Sequence, residues 1–466
     1  MAEKADTRQL ANDILADVPV VRAGNLLRAR PIWVAPIALS SIVIALMTLI
    51  YFGSIVNPSG HLHGLPVAVV NQDAGATAPT GKVAAGQQIV TALTGTQAVT
   101  KRLSLRELTL AEAKKRMDHG DIDAAIVIPR DFSALLLSLA GASPGTKRQA
   151  PTAVVQLLTN DRVGSIAVGL ASGVIQPAIT QISHSIGQRL TSLSTSAARA
   201  NSVNAAALAN PVSATVTKYR PLPSHSGLGL SAFYIALLSM MCGFLGATIV
   251  HNAVDSAIGY AASEVGPWWT LRMPLRITRW QTLLTKWAVS CAVVPLVTSV
   301  MLVIAVFGLG MDATHLAVLW FYCIFGAFVI AVGTLTLFAA LGSLGQLVAL
   351  IVFIYLGLAS SGGTVPLQAL SPFYRVVAEF EPLRQMLGGI KAILYFDAIG
   401  DAGLHRALLL TGAGLAFWLV VGAAVTISYD RKGLHRISPE IMSYVNRAVQ
   451  TRRAEVAAAN SVEPSG

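Results

Sequence analysis

The chain has 466 residues, of which 54% are hydrophobic and only 12% charged, with a formal net charge of +11 and a mean hydropathy of +0.61. About a quarter of the residues of a soluble domain are charged, so this composition excludes an ordinary soluble protein. The 34 Lys and Arg do not cluster; the basic excess fits membrane orientation and a mildly basic region between spans, and implies no nucleic-acid partner.

Residues 1–31 form a cytoplasmic N-terminal segment in this reading. The stretch 8–30 (RQLANDILADVPVVRAGNLLRAR) mixes apolar and charged positions and ends in basics, which suits a helix lying on the membrane surface. A disordered leader that only supplies positive charge is the alternative. An apolar run over 33–55 follows with no small-residue cleavage site close after it. It reads as a first transmembrane helix over 32–56 and as a signal-anchor.

Residues 57–226 have ordinary soluble composition, with 15 Lys and Arg against 8 Asp and Glu. Alternating element types predict a mixed α/β domain. LPVAVVN (65–71) is a compact apolar strand that ends in turn chemistry at Asn71, Gln72 and Asp73. A helix is expected over 81–93, a strand near 98–103, and a charged helix over 110–119 closed by Gly120. A buried strand follows over 123–128, stopped by Pro129, then a helix over 131–139 and a strand over 153–159. From 164 to 210, Ile166, Leu170, Val174, Ile179, Ile182, Ile186, Leu190 and Leu193 recur every three to five residues, giving one apolar seam on a long helix that Pro177 interrupts. Its expected use is packing on the domain or on a symmetry mate. Residues 212–222 return the chain to the membrane as an extended segment.

Five further apolar runs, 227–250, 287–310, 316–341, 345–361 and 407–428, make a membrane domain over 227–428. The loop between the first two mixes Trp268, Trp269 and Trp280 with Arg272, Arg276, Arg279 and Lys286, a headgroup-level pattern, and 277–287 can form a short amphipathic helix. Residues 362–404 are semi-apolar and broken by Gly and Pro, which suits a re-entrant or surface-lying helical pair. Residues 429–466 form the tail. The short segments 1–31, 251–286, 342–344 and the tail carry the basic excess, whereas Arg375, Arg384, Lys391 and Arg406 of the other loops are offset by Asp312, Glu379, Glu381, Asp397 and Asp401. That bias predicts both termini in the cytoplasm and the large domain outside a plasma membrane.

The chemistry is sparse. None of the six apolar runs contains Asp, Glu, Lys or Arg, which argues against a transporter powered by an ion gradient. The chain has no G-x-x-x-x-G-K-[ST], G-x-S-x-G or H-E-x-x-H, so neither nucleotide binding nor catalysis is signalled and no cofactor is expected. Cys242, Cys291 and Cys323 fall inside the runs without C-x-x-C spacing and read as buried apolar thiols. His61 and His63 lack a third ligand, and no metal is expected. Asn71, Gln72 and Asp73 read as strand-end side chains bonding to their own backbone. Glu379 and Glu381 either line an exit path or recognise substrate, or else are solvated at the interface.

HLHGLPVAVVNQDAGA (61–76), just after a first span, resembles the opening of the YhgE/Pip phage infection protein family. LAEAKKRMDHGDIDAAIVIPRDFSALL (110–136), MPLRITRWQTLLTKW (273–287) and SPFYRVVAEFEPLRQMLGGIKAIL (371–394) resemble elements shared with the wider ABC type-2 permeases. The longer outer coiled-coil region of typical YhgE/Pip members is here a single seam. The resemblance implies a polytopic α-helical membrane protein, with six transmembrane helices in a permease-like core and a mixed α/β extracytoplasmic domain between the first two spans. It further implies that Arg276, Arg279, Gln281 and Lys286 contact a separate ATP-binding-cassette ATPase, that Glu379, Glu381 and Arg384 border an outer pathway, and that the chain works as a homodimer or heterodimer among membrane lipids. The function implied is export of a hydrophobic or amphipathic compound such as a lipid, cell-wall precursor or drug. A non-transporting scaffold or surface receptor is the alternative.

Overall fold

The computed structural model describes residues 30–55, 57–78, 81–140, 153–193, 207–223, 225–272, 274–275, 277–434, 436 and 450. Apart from residue 30, the surface helix expected over 8–30 lies outside them. The chain divides into two compact units, Met1–Gly53 and Ser54–Gly466. The first holds all but the last two residues of α1 (Arg30–Ile55), a 26-residue helix that contains no acidic side chain. At 1.5 Å per residue this length exceeds a hydrocarbon core of about 30 Å.

The second unit opens with the α/β domain. Its strands are β1 (Leu65–Asn71), β2 (Leu103–Glu107), β3 (Ala124–Ile128), β4 (Ala153–Asn160) and β5 (Val212–Arg220). They form one sheet in the order β2-β1-β3-β4-β5. β1 pairs parallel with β2 and β3, β4 runs antiparallel to β3, and β5 runs parallel to β4. Every residue of β3 is buried, as expected for an apolar run at the centre of a covered sheet. The helices are α2 (Ala85–Gly95), α3 (Leu110–Asp118), α4 (Phe132–Ala140) and α5 (Ser165–Leu193). Thr109 caps α3 by accepting from the Glu112 N–H, and Gly120 takes a positive φ of 75° just past its end.

Two local expectations shift. Residues 81–83 are a strand rather than the start of α2, and the strand expected near 98–103 begins at Leu103, because 97–100 form one helical turn. The segment expected to run as a simple return to the membrane is the fifth strand of the sheet. In α5 the buried face before Pro177 is carried by Ala167, Ala171 and Ile175 rather than by Ile166, Leu170 and Val174; after it, Ile179, Ile182, Ile186 and Leu190 are buried as the spacing predicts. The helix continues through Pro177, and the Ser183 hydroxyl in its buried face accepts a hydrogen bond from the Val212 N–H at the start of β5.

The membrane domain contains α6 (Ser231–Ala257), α7 (Arg279–Gly308, closing in a π turn), α8 (Leu316–Leu341), α9 (Ser343–Ser360, with a π stretch over Leu350–Tyr355) and α12 (Leu404–Arg431). Between α9 and α12 lies the expected helical pair, α10 (Pro372–Phe380) and α11 (Pro382–Tyr395). Six helices of the described residues are long and apolar enough to cross a membrane: these five and α5. Length and composition do not separate α5 from a span, yet its buried face packs on the sheet, and it is the least apolar of the six. The bundle packs tightly. A side chain at Gly243 of α6 would collide with the Ala327 carbonyl of α8, the close approach that small residues permit between spanning helices.

The helices run beyond the apolar stretches, so α6 includes Asp255 and α7 includes Arg279 and Lys286. The amphipathic stretch 277–287 leads straight into the third apolar run, as expected, its residues from Arg279 on forming the first turns of α7. Cys291 is exposed on α7, whereas Cys242 and Cys323 are buried.

Candidate functional site

The bundle carries a polar site at each end. At the end of α6 away from the α/β domain, Asp255 is buried and holds three partners. Lys286 Nζ lies 2.7 Å from its Oδ1, and Arg436 of the tail donates to both oxygens at 2.9 and 2.6 Å. His251, one turn earlier, lies 3.0 Å from Lys286 Nζ and 3.4 Å from Asp255 Oδ2. The Tyr260 ring packs against the Arg436 guanidinium at 4.6 Å. These groups border a cavity of about 290 Å³ with Arg279 and Phe338. The start of α7 is fixed beside it. Thr278 and Gln281 form a reciprocal capping box, and Asp430 at the end of α12 accepts from the backbone N–H of Arg279 and Trp280 at 2.9 and 3.0 Å. A carboxylate at a helix N-terminus satisfies free N–H groups and meets the positive end of the dipole.

Of the residues read as an ATPase contact, Arg279 is half-buried and donates to the Leu434 carbonyl, Gln281 is exposed and caps its helix, and Lys286 is buried in the ion cluster. Arg276 lies outside the described residues. The His251–Asp255 pair, four residues apart on one helix face, was the available sequence signal for this cluster, and the apolar-run boundaries cut it off.

At the end that carries the α/β domain, α10, α11 and α12 enclose the second site with α8 and α9. A cavity of about 540 Å³ is lined mainly by apolar groups, among them Phe353, Phe380, Phe417 and Trp418, together with Glu379, Glu381 and Gln385. Glu379 is engaged twice, by Arg384 at 3.0 Å and Arg406 at 2.6 Å. The two arginines hold its carboxyl below the usual range against a burial effect of opposite sign. Glu381 is different. It is 4% exposed and caps α11, its Oε2 accepting from the Arg384 N–H at 2.9 Å, while Oε1 has no hydrogen-bond partner among the described residues. Burial pushes this carboxyl up to about 8, against the pull of the Leu383 and Arg384 backbone N–H groups. The space around Oε1 is set by Gly357 of α9, where a Cβ would lie 2.8 Å from that oxygen. The structure therefore puts Glu379 and Glu381 on the cavity wall, with Arg384 paired to Glu379 beside it, and makes the two acids chemically unequal.

The α/β domain meets the bundle on the other end of α11. Arg162 donates to the Tyr395 carbonyl at 2.6 Å, Lys391 donates to the Val163 carbonyl at 3.1 Å, and the Tyr395 hydroxyl accepts from the Ala232 N–H at the start of α6. Asp123, 7% exposed at the start of β3, faces Lys391; burial raises its carboxyl to about 7, which Lys391 only partly opposes.

Asn71, Gln72 and Asp73 sit at the end of β1, away from both cavities. The Asn71 side chain accepts from the Asp73 N–H, as read, and the Gln72 N–H donates to the Ile128 carbonyl. Asp73 makes its local bond too, accepting from the Gly75 N–H at 3.2 Å, and goes further. Its carboxylate reaches Ser133, accepting from its N–H at 3.0 Å and its hydroxyl at 2.5 Å, and also takes the N–H group of Gly86. His63 Nε2 lies 2.9 Å from Arg375 of α10. No group of three or more metal-ligating side chains occurs among the described residues.

The profile of DUF3533, a family described as proteins of unknown function, matches residues 36–421. The chain belongs to that family. No curated protein matches this DUF3533 chain. Among solved structures, a domain of a candidate ABC type-2 transporter from Thermotoga maritima MSB8 is similar at 17% identity, covering 33% of this chain and 85% of that chain at a TM-score of 0.22.

Proposed function

We propose that this DUF3533 protein is the permease subunit of an exporter for hydrophobic or amphipathic compounds, driven by a separate ATPase. The observation that carries the reading is the apolar cavity of about 540 Å³ built between membrane-domain helices, with a helical pair at its mouth. That size falls within the roughly 300–1,000 Å³ of small-molecule sites. The resemblance of 273–287 and 371–394 to ABC type-2 elements supports the same reading, as does the resemblance of 61–76 to YhgE/Pip proteins. In this proposal both termini are cytoplasmic and the α/β domain is outside, as the charge bias of the short loops favours. The ATPase docks near Arg276 and Arg279, and two copies or two related chains form the pathway.

The test is capture of the chain from its native membrane by mild crosslinking. A nucleotide-hydrolysing subunit is expected in the captured complex, and replacing Arg276 and Arg279 with Glu should reduce its recovery at least tenfold, equivalent to about 1.4 kcal/mol of interface energy. Topology is checked in the same cells: a cysteine at position 78 should react with an impermeant thiol reagent and one at position 263 should not. Capture without any such subunit overturns the ATP-driven reading in favour of a scaffold or receptor.

A further inference from the structure

We propose that the cavity of about 290 Å³ beside Asp255 holds a phosphate group, with Arg279, Lys286 and Arg436 as its cationic wall. The phosphate belongs to a soluble ester or to a phospholipid headgroup. The proposal goes beyond the export reading and does not rest on it.

Charge on the wall does not balance. Arg279, Lys286 and Arg436 line the cavity, and the acid that lines it with them is Asp255. Nδ1 of His251 lies 3.0 Å from Lys286 Nζ, where a neutral ring accepts from the ammonium and adds no charge. Asp430, close by, commits both oxygens to the backbone N–H groups of Arg279 and Trp280. Even with Asp430 counted, these three cations exceed the two acids. A cleft lined by one sign of charge draws in the opposite ion.

Donors are in surplus as well. Both Asp255 oxygens are already taken by Lys286 and Arg436. The Arg279 guanidinium has no acidic partner among the described residues: its Nε donates to the Leu434 carbonyl at 2.7 Å, and its Cζ lies 5.2 Å from the Tyr429 ring centroid. Ser343 opens α9 on the same cavity, and no side chain caps that helix end. A space rich in donors, whose own acid is saturated, suits a ligand with negative charge and several acceptor oxygens. Phosphate supplies both, and guanidinium forks match its geometry; a cation would meet like charge. The volume, near the lower end of the roughly 300–1,000 Å³ of small-molecule sites, accommodates a phosphate with a small ester group. Trp268 and Trp269, exposed in the hairpin that follows α6, suit the level of lipid headgroups, which is why a phospholipid is one of the two sources.

Thermal unfolding of the full chain in phosphate-free maltoside micelles, followed by tryptophan fluorescence, tests the proposal. A ligand that binds only the folded state raises the melting temperature. Glycerol 3-phosphate should therefore raise it beyond potassium chloride at matched ionic strength. Arg279→Gln and Arg436→Gln should each weaken that binding at least tenfold, the scale of one charge-assisted hydrogen bond. Arg279→Gln leaves the Asp255 ion pairs intact, so it carries the test if Arg436→Gln does not fold. Phosphatidylglycerol and a diacylglycerol with the same chains, added to the micelles, separate the two sources. Stabilisation by the phospholipid over the diacylglycerol, lost in Arg279→Gln, assigns the site to a headgroup; stabilisation by glycerol 3-phosphate without that preference assigns it to a soluble ester. No effect of glycerol 3-phosphate beyond chloride, or an equal effect on wild type and Arg279→Gln, overturns the proposal. These measurements need no ATPase, so a captured ATPase without phosphate binding removes this site and keeps the export reading, and phosphate binding without an ATPase does the reverse.

Discussion

Asp73 joins three segments of the α/β domain through one carboxylate: the end of β1, the start of α2 at Gly86 and the start of α4 at Ser133. Burial alone would raise its pKa, but the hydrogen bonds from Ser133, Gly86 and Gly75 outweigh it and hold the group below the usual range. Its contribution is therefore present above the ordinary carboxylate pKa and lost as pH falls through the lower folded value. Asp73→Ala strands at least two N–H groups and should destabilise the domain by about 3 kcal/mol, read as a drop in its melting temperature. Ser133→Ala, which removes only the hydroxyl, should cost less than half of that. The spacing of Asn71, Gln72 and Asp73 announced a strand end, and the local backbone bonds of Asn71 and Asp73 are both present. It carried no sign of Ser133, 60 residues on, because a long-range partner leaves no periodic trace. The same limit applies to Glu381: an acid ahead of Pro382 suits a helix cap, but only the packing of Gly357 and Leu383 around it distinguishes it from Glu379.

Among the elements, α5 is the one that composition misplaces. It satisfies the length and hydropathy of a span, yet Ile179, Ile182, Ile186 and Leu190 are all buried in the second unit. A charge at such a position costs several kcal/mol unless it neutralises or finds a partner. Ile182→Asp with Ile186→Asp, each residue now 8% exposed, should lower domain stability by on the order of 3–5 kcal/mol, whereas Ile166→Asp on the exposed face should change it by less than about 0.5 kcal/mol. Equal effects in limited proteolysis would place the helix away from the sheet. The seam was legible after Pro177, where large side chains mark the buried face, and illegible before it, where Ala167 and Ala171 carry the contact. The strands β1, β3 and β4 were legible as apolar runs, but β5 (VSATVTKYR) is mostly polar and its pairing with β4 follows only from the register. The spans were found from their apolar centres and cut short at their ends, which is where Asp255 and Lys286 lie.

For the whole second unit, the junction between domain and bundle makes the protein sensitive to pH. With its carboxyl raised to about 7 by burial, Asp123 binds its proton more tightly in the folded state than in the unfolded one. The stability it supplies is fully present below about pH 4 and is lost as pH rises through about 7. Lys391, lowered by its own burial, is common to both proteins when wild type is compared with Asp123→Asn. Wild type should lose roughly 1–3 kcal/mol relative to that variant between pH 5 and pH 8, measured as the difference in melting temperature at the two values. A pH-independent difference would mean that the carboxyl is not desolvated at the junction.

That junction also fixes an order of assembly. Arg162 and the Tyr395 carbonyl that it holds are 233 residues apart, and Lys391 lies 228 residues from the Val163 carbonyl. During synthesis the sheet and α5 are complete long before α11 leaves the ribosome, since translation adds about 5–20 residues per second. The domain must therefore stand without its dock for about 10–40 s, with Asp123 and Gly120 awaiting Lys391 and Phe396. A nascent chain arrested before α11 should keep its sheet yet expose Arg162 to protease, and the docked state marks a chain whose membrane half has been made.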